Sequence, residues 1–329
     1  MARTGAALAK KTMADLGKTK RLSVWAVIVF VLRLGGLMPF TAWLAVGLAG
    51  GAWYAYEVKV ARPQMVWMGE PRPVDWKNPS TFTRTLRNHG FMLGYSDLRG
   101  NPLWVTYALA TPPPDAGHLK RPARFSADWR GINRVSHEDY TGGGYDRGHM
   151  APNHAISVVY GREGQADSFL MTNVTPQKAS LNEKLWERLE ELELDRFAKQ
   201  FGKVWVVDGP IFDPPNERLH SSWRVEIPDA FYKIIVAPEA KKVLAFIMPQ
   251  AVRGDEPLDH YLTSVDSIEK RTGLDFFPEL NDAEENRLEA EVDPVPWRLQ
   301  ELARLPGRYR HKTGKQGGEE PSSKTGENP

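Results

Sequence analysis

The feature that most limits how this chain can fold is a long uncharged stretch near its N-terminus. Residues 34–56 carry no charged side chain, and Arg33 is the only charge between positions 22 and 56. A helix needs about 20 apolar residues to cross the hydrocarbon core of a membrane. Trp43, Trp53 and Tyr56 are of the type that lies at the membrane interface. The stretch therefore predicts a transmembrane helix, within a membrane anchor over residues 22–56.

The charges before this stretch predict its orientation. Residues 1–21 carry a net charge of +5, and basic residues favour the cytoplasmic side of a membrane. We expect residues 1–21 to be a cytoplasmic N-terminus and the later residues to be periplasmic or extracellular. A cleaved signal peptide is the alternative, with the small residues at 49–51 as a processing site. The length of the apolar stretch favours an uncleaved anchor.

Composition excludes several kinds of site. The chain has no cysteine, which rules out disulfides, thiolate zinc sites and cysteine nucleophiles. The net charge of +2 is unevenly distributed, because residues 34–329 carry 36 basic and 40 acidic side chains. Bulk charge after the anchor therefore gives no attraction for a polyanion, and any such ligand needs a local basic patch.

The remaining sequence divides into three parts. Residues 57–84 contain four prolines and predict a linker. Residues 85–308 have a globular pattern, and residues 309–329 are polar and predicted to be disordered. The candidate strands, rich in β-branched and aromatic residues, are 103–109, 169–174, 204–207, 231–236 and 243–248.

One helix is clearly indicated after residue 179. Ser180 and Glu183 have the spacing of a capping box. The apolar positions that recur at helical spacing, and so predict the buried stripe, are Leu181, Leu185, Leu189 and Leu192. The charged positions, which predict a solvated face, are Glu183, Lys184, Glu187, Glu190 and Glu191.

A short motif around His149 carries the chemistry. Asp146-Arg147-Gly148-His149 follows a glycine run at 142–144, but no Gly-Lys-Ser/Thr follows, so this is not a Walker phosphate loop. His149 and His154 lie five residues apart without the acidic residue of a zincin motif, which argues against a two-histidine zinc site.

The motif resembles the signature of the sugar-non-specific DNA/RNA endonucleases, which are ββα-metal (His-Me finger) nucleases and include endonuclease G. The resemblance extends in the family's order to NPLWV at 101–105, TNVTPQ at 172–177, LNEKLWERLE at 181–190, DGPIF at 208–212, IPDAFYK at 227–233 and TGLDFF at 272–277. It implies an α+β fold with a central, mostly antiparallel sheet flanked by helices and a ββα finger.

The resemblance also implies roles for three residues. His149 matches the general base that activates water, and a neutral imidazole suits that task. Asn182 matches the single protein ligand of Mg²⁺, with Mn²⁺ as the alternative ion; Mg²⁺ commonly keeps several waters. Glu190 matches the acid that orients metal-bound water. Glu190 follows Asn182 by eight residues, which places it about 80° around the helix axis and about 12 Å along it, so we expect contact through water and not shared direct ligation.

Arginines are expected to hold the phosphate, because guanidinium matches its oxygens bidentately. Arg124 stands at the position of the family's phosphate-binding arginine, and Arg121 is the alternative. Arg147 is a candidate either for phosphate contact or for holding the finger together. Asp146 is expected to fix the turn that presents His149, and Asn173 either supports the metal-site loop or bonds to backbone.

These roles imply Mg²⁺-dependent endonuclease activity on DNA and RNA, with 5′-phosphate products. The alternatives are a catalytically inactive nucleic-acid-binding or scaffold protein on the same fold, and a narrower phosphodiesterase. The expected partners are DNA and RNA, the membrane through the N-terminal helix, and a second copy of the chain in a homodimer.

Overall fold

A computed structural model describes residues 39–112, 117 and 119–307. The predicted cytoplasmic segment 1–21 and disordered tail 309–329 lie outside these residues, as does the anchor up to residue 38. The described residues up to Val60 belong to one compact unit and those from Ala61 to another. The second unit therefore includes most of the predicted linker 57–84, in which short strands form at Arg72–Pro73 and Arg84–Arg87.

The described part of the first unit contains helix α1, Phe40–Tyr56, and the π-helical turn Glu57–Ala61 as far as Val60. None of the side chains of α1 is buried. Within the described residues, no helix is both long enough and apolar enough to span a membrane. The predicted transmembrane helix is therefore not supported by the described residues.

The second unit contains a large antiparallel sheet and short two-stranded ribbons. The strands are β1 Arg72–Pro73, β2 Arg84–Arg87, β3 Phe91–Ser96, β4 Asn101–Ala110, β5 Asp146–His149, β6 Val174–Gln177, β7 Lys203–Ile211, β8 Arg218–Leu219, β9 Ser222–Glu226, β10 Ala230–Ala237, β11 Lys242–Pro249, β12 Leu262–Thr263 and β13 Leu274–Asp275. The large sheet has seven antiparallel strands in the order β12-β11-β10-β7-β4-β3-β2. The ribbons pair β1 with β13, β5 with β6 and β8 with β9.

Helices cover both faces of this sheet. The α-helices after α1 are α2 Asn153–Ser168, the continuous helical segment α3 from 181 to 201, α4 Val265–Thr272, α5 Asp282–Ala290 and α6 Leu299–Leu302. Short 3₁₀ turns lie at Pro63–Met65, Pro79–Thr81, His137–Tyr140, Met171–Asn173 and Leu258–Tyr261. The architecture is α+β with a central antiparallel sheet, as predicted.

Alternation along the strands divides the core into two layers. Val204 and Val206 of β7 pack in the layer of α2 and α3, whereas Trp205 and Val207 pack in the layer of α4 and α5. This follows from the two-residue repeat of a strand, which sends successive side chains to opposite faces. Four of the five predicted strands are confirmed, within β4, β7, β10 and β11.

The predicted strand at 169–174 is wrong. Phe169 ends α2, since its N–H bonds to the carbonyls of Ala166 and Asp167. The chain then forms a 3₁₀ turn over Met171–Asn173, and only Val174 joins a strand. Phe169 and Met171 are buried. The aromatic and apolar run is therefore explained by burial of a turn, not by an extended strand.

Helix α3 confirms the predicted stripe, because Leu181, Leu185, Leu189 and Leu192 are all buried. The predicted capping box is wrong. Ser180 already has helical backbone angles, φ −63° and ψ −29°, and its side chain makes no capping hydrogen bond. The chain is already helical at Ala179, where the N–H of Asn182 bonds to the Lys178 carbonyl across this first turn, and a π-helical turn follows at Leu181–Trp186.

Candidate active site

A two-stranded ribbon followed by a helix forms the frame of the candidate site. Strands β5 and β6 pair antiparallel, with Asp146 opposite Gln177 and His149 opposite Val174, and α3 begins four residues after β6. We call β5, β6 and the first turn of α3 the finger. The glycine before His149 leaves room for Gln177 of the paired strand, because a Cβ at Gly148 would lie 1.8 Å from Gln177 Oε1 and would displace that buried side chain. The ribbon thus fixes His149 at the end of β5.

The imidazole of His149 packs against two phenyl rings that also contact each other, with a centroid distance of 4.8 Å between Phe125 and Phe169. The centroid of Phe125 is 4.9 Å from the imidazole centroid, and that of Phe169 is also 4.9 Å away, in an edge arrangement. His149 Nε2 is buried and has no hydrogen-bond partner within the described part of the chain. Burial, reinforced by the positive charge of Arg121, lowers the pKa of His149 to about 3. The ring is therefore neutral at neutral pH, as a general base must be.

Asn182 is held beside the same strand. Its Nδ2 donates a hydrogen bond to Asp146 Oδ2 at 3.0 Å, which joins the first turn of α3 to the start of β5. The amide nitrogen and oxygen share one planar group, so a bond to the nitrogen also fixes the direction of the oxygen. Asp146 thus orients the predicted metal ligand as well as lying in the motif of His149.

Glu190 lies two helical turns further along α3 and is half-buried. Burial raises the pKa of Glu190 well above its usual value, although the charge of Lys233 opposes this shift. Glu193 and Asp208 raise it further by repulsion. A carboxyl group in this position favours a proton or a cation close by.

These three side chains line one cleft of about 730 Å³. Its wall also includes Arg121 and Arg147. The amide oxygen of Asn182 and the carboxylate of Glu190 are hard oxygen donors, the ligand type that Mg²⁺ prefers. The donor set therefore fits a divalent cation that keeps most of its water ligands.

Comparison with known proteins agrees with this geometry. A family model described as DNA/RNA non-specific endonuclease matches residues 76–283, more than half of the chain. This chain belongs to the DNA/RNA non-specific endonuclease family. The resemblance seen in the sequence is confirmed.

Similar proteins of this endonuclease family occur in vertebrates and bacteria. The chain is 29% identical over 220 residues to the mitochondrial nuclease EXOG of Xenopus laevis, covering 62% of this chain and 61% of that protein. It is 29% identical to a nuclease of Serratia marcescens, covering 63% of this chain and 80% of that protein. The chain thus spans about three fifths of the length of the first of these relatives.

A solved structure is also similar. It is a crystal structure of an EndoG/EndoGI complex concerned with the mechanism of EndoG inhibition. The similarity has a TM-score of 0.52 at 25% identity and covers 61% of this chain and 88% of that one. The antiparallel sheet of this endonuclease-family chain is consistent with that fold.

The structure separates the three candidate arginines. Arg121 lines the cleft and lies 5.4 Å from the ring centroid of Phe169. Arg124 forms an ion pair with Glu138, is largely exposed, and is not among the residues that line the cleft. Arg147 donates to the His137 carbonyl at 2.7 Å through Nη2, and also to Thr141. Of the three, Arg121 is the best placed for a ligand in the cleft.

Asn173 lies behind the site and bonds to backbone. Its Nδ2 donates to the carbonyls of Ala151 and Ser168, and its Oδ1 accepts from the N–H of Ala151. These bonds hold the chain immediately after His149. Of the two roles expected for Asn173, the structure therefore shows the backbone role.

Sequence reasoning missed a buried charge cluster beneath α3. Lys233 Nζ lies 2.8 Å from Glu193 Oε1 and 2.9 Å from Asp208 Oδ2, and all three side chains are fully buried. Tyr107 donates to Glu193 at 2.8 Å. Burial raises the pKa of Asp208 to about 7, although Lys233 opposes this shift. A lysine and an aspartate within otherwise apolar strands were the signal that could have predicted this pairing.

Proposed function

We propose that this chain is a divalent-metal-dependent endonuclease that hydrolyses phosphodiester bonds of DNA and RNA. The observation that carries the proposal is the shared cleft of His149, Asn182 and Glu190, with Asn182 bonded to the strand that ends at His149. Family membership supports the same reaction class. Mg²⁺ is the proposed ion, and Mn²⁺ is the alternative.

In this proposal, His149 takes a proton from the attacking water at an unprotonated ring nitrogen. The packed rings of Phe125 and Phe169 restrict the imidazole, which keeps it in one orientation. Asn182 would hold the cation through its amide oxygen, and Glu190 would accept hydrogen bonds from water beside it. When bound, the cation supplies positive charge next to the phosphate oxygens.

Arg121 is the residue proposed to contact the phosphate. Its position in the cleft supports this role, whereas the guanidinium of Arg124 is paired with Glu138. Arg147 is proposed to hold the segment 137–141 against β5 rather than to contact phosphate. Cleavage of the bond to the 3′ oxygen would leave 5′-phosphate products, as expected from the resemblance.

The test is digestion of supercoiled plasmid and of a structured RNA by the full chain. We expect cleavage of both substrates with Mg²⁺, none with a chelator, and 5′-phosphate ends. A gel shift without cleavage in Mg²⁺ would favour the inactive nucleic-acid-binding alternative. Cleavage of small diesters alone would favour a narrower phosphodiesterase.

We also propose that the chain is anchored in a membrane with residues 1–21 in the cytoplasm. The charge of +5 in that segment and the uncharged stretch 34–56 support this orientation. Protease treatment of spheroplasts should degrade the endonuclease domain, and full protection would contradict the periplasmic or extracellular location. A homodimer stays a prediction, which analytical ultracentrifugation tests.

A further inference from the structure

Three carboxylates converge on the α4–α5 layer, away from the residues that line the cleft. Asp266 and Glu269 lie three residues apart on α4, and Glu289 lies near the end of α5. One carboxylate oxygen from each can be chosen such that all lie within 4.8 Å of one another. These helices pack in the core layer of Val265, Ile268 and Leu288, whereas α3 packs in the other layer.

Glu289 is the residue that makes this cluster unusual. Glu289 is only 6% exposed, and its Oε1 is buried without a hydrogen-bond partner among the residues that the structure describes. Leaving a buried carboxylate unpaired is costly, so such a group takes up a proton or a cation. Glu289 Oε1 is thus an acceptor available to a proton or a cation.

The charges around Glu289 favour a cation. Burial raises the pKa of Glu289 to about 9, and the charged neighbours that raise it further are Glu269, Glu285, Asp266 and Asp275. Basic side chains on or near α5 pair with other acids: Arg287 with Glu291, and Lys241 with Glu284. Burial likewise raises the pKa of Glu269 to about 7.

We propose that Asp266, Glu269 and Glu289 form a structural calcium site that ties α4 to α5. Oxygen ligands lie about 2.3–2.6 Å from Ca²⁺, so two ligands on opposite sides are about 4.6–5.2 Å apart. The three oxygens all lie within 4.8 Å of one another, which is close enough for one Ca²⁺ to contact all of them. Mg²⁺ requires near-ideal octahedral geometry and usually keeps several waters, whereas Ca²⁺ accepts several carboxylates in a flexible geometry, so a site of three carboxylates favours Ca²⁺.

One of the ligands is already held in place. Glu269 Oε1 accepts a hydrogen bond from the N–H of Phe276 at 2.7 Å, which ties the carboxylate to the segment that follows α4. Asp266 is exposed, so water completes the coordination sphere on the solvent side. The bound ion removes the repulsion among these acids and holds α4, α5 and the segment between them together.

The test counts calcium ions on the full chain by equilibrium dialysis with ⁴⁵Ca²⁺. The background variant is Asn182→Ala, which removes the proposed ligand in the cleft. We expect one ion per chain, with a dissociation constant of about 10⁻⁴ to 10⁻³ M. Adding Glu289→Gln should abolish this binding. Adding Glu284→Gln, which makes the same charge change on the same helix but at the pair with Lys241, should leave it intact.

Thermal unfolding gives the second readout. At about 100-fold excess over the dissociation constant, Ca²⁺ should raise the Tm of the background variant by roughly 5 °C or more, and not that of the Glu289→Gln variant. Asp266→Asn, a change at an exposed position, serves if Glu289→Gln fails to fold. The proposal would be overturned if the background variant bound no calcium at about 10 mM. It would also be overturned if Glu289→Gln or Asp266→Asn bound as much calcium as the background variant. A proton shared among the carboxylates would then be the partner of Glu289.

Discussion

The amide of Asn182 and the carboxylate of Asp146 are joined by a 3.0 Å hydrogen bond across the junction of β5 and α3. This bond connects two parts of the chain that are 36 residues apart. It gives Asp146 a specific task, which is to direct the oxygen of Asn182. Partners of this kind orient metal ligands, and their loss commonly costs about 10–100-fold in metal affinity or activity.

Replacing Asp146 by alanine should therefore weaken metal use more than it weakens the fold. We expect Asp146→Ala to raise the Mg²⁺ concentration for half-maximal cleavage by about 10-fold or more, with part of the activity restored at high Mg²⁺. Asp146→Asn keeps an acceptor oxygen and should be affected less. An unchanged Mg²⁺ dependence in Asp146→Ala would contradict this role.

Arg121 and Arg124 offer a matched comparison on one short segment. Arg121→Gln should reduce kcat/KM on DNA by about 10-fold or more, because a charged hydrogen bond is worth roughly 1.5–3 kcal/mol. Arg124→Gln should have a smaller effect, since its guanidinium is exposed and paired with Glu138. Steady-state kinetics at fixed salt make the comparison. A larger loss in Arg124→Gln would show that Arg124, the residue at the family's phosphate-binding position, contacts the phosphate instead of Arg121.

His149 should make stability depend on pH. Its folded pKa of about 3 lies below the ordinary 6.5, so the unfolded chain binds a proton that the folded chain does not. Above pH 6.5 both states are unprotonated at His149 and stability is unaffected. As the pH falls from 6.5 towards 3, protonation of the unfolded chain lowers the free energy of unfolding. At pH ~4.5 the loss is about 2–3 kcal/mol. Urea unfolding should show a smaller loss in His149→Gln than in wild type or in the exposed-site variant His260→Gln; equal losses would contradict the assignment.

Lys233 should be required for stability. Lys233→Met leaves Glu193 and Asp208 buried without their cation, which should cost about 3–5 kcal/mol in the free energy of unfolding. Lys241→Met removes an exposed partner of Glu284 and should have a much smaller effect, because exposed ion pairs contribute little to stability. Denaturant unfolding of the two variants compares them directly. Similar costs would show that the buried cluster contributes little.

Local patterns predicted the strands that lie in the middle of the sheet. Uninterrupted apolar runs at 204–207 and 243–248 reflect burial on both faces of the sheet, a signal contained within a few neighbouring positions. The stripe of Leu181, Leu185 and Leu189 was predicted for the same reason. The turn at 171–173 was not, because its burial depends on residues distant in the chain.

The site was predicted only in part. His149, Asn182 and Glu190 were named from motif resemblance, and they line one cleft. The bond from Asn182 to Asp146 and the preference for Arg121 over Arg124 depend on how the finger folds. No local spacing encodes those contacts, so they required the structure.

The most direct test of the central claim compares wild type with His149→Ala on plasmid DNA and on RNA, using the full chain. With Mg²⁺ present, we expect His149→Ala to lose about 10²–10⁴-fold in cleavage of both substrates, the usual contribution of a general base. His260→Ala, at an exposed position, serves as the control and should cleave at the wild-type rate. Cleavage by His149→Ala at the wild-type rate would contradict the account.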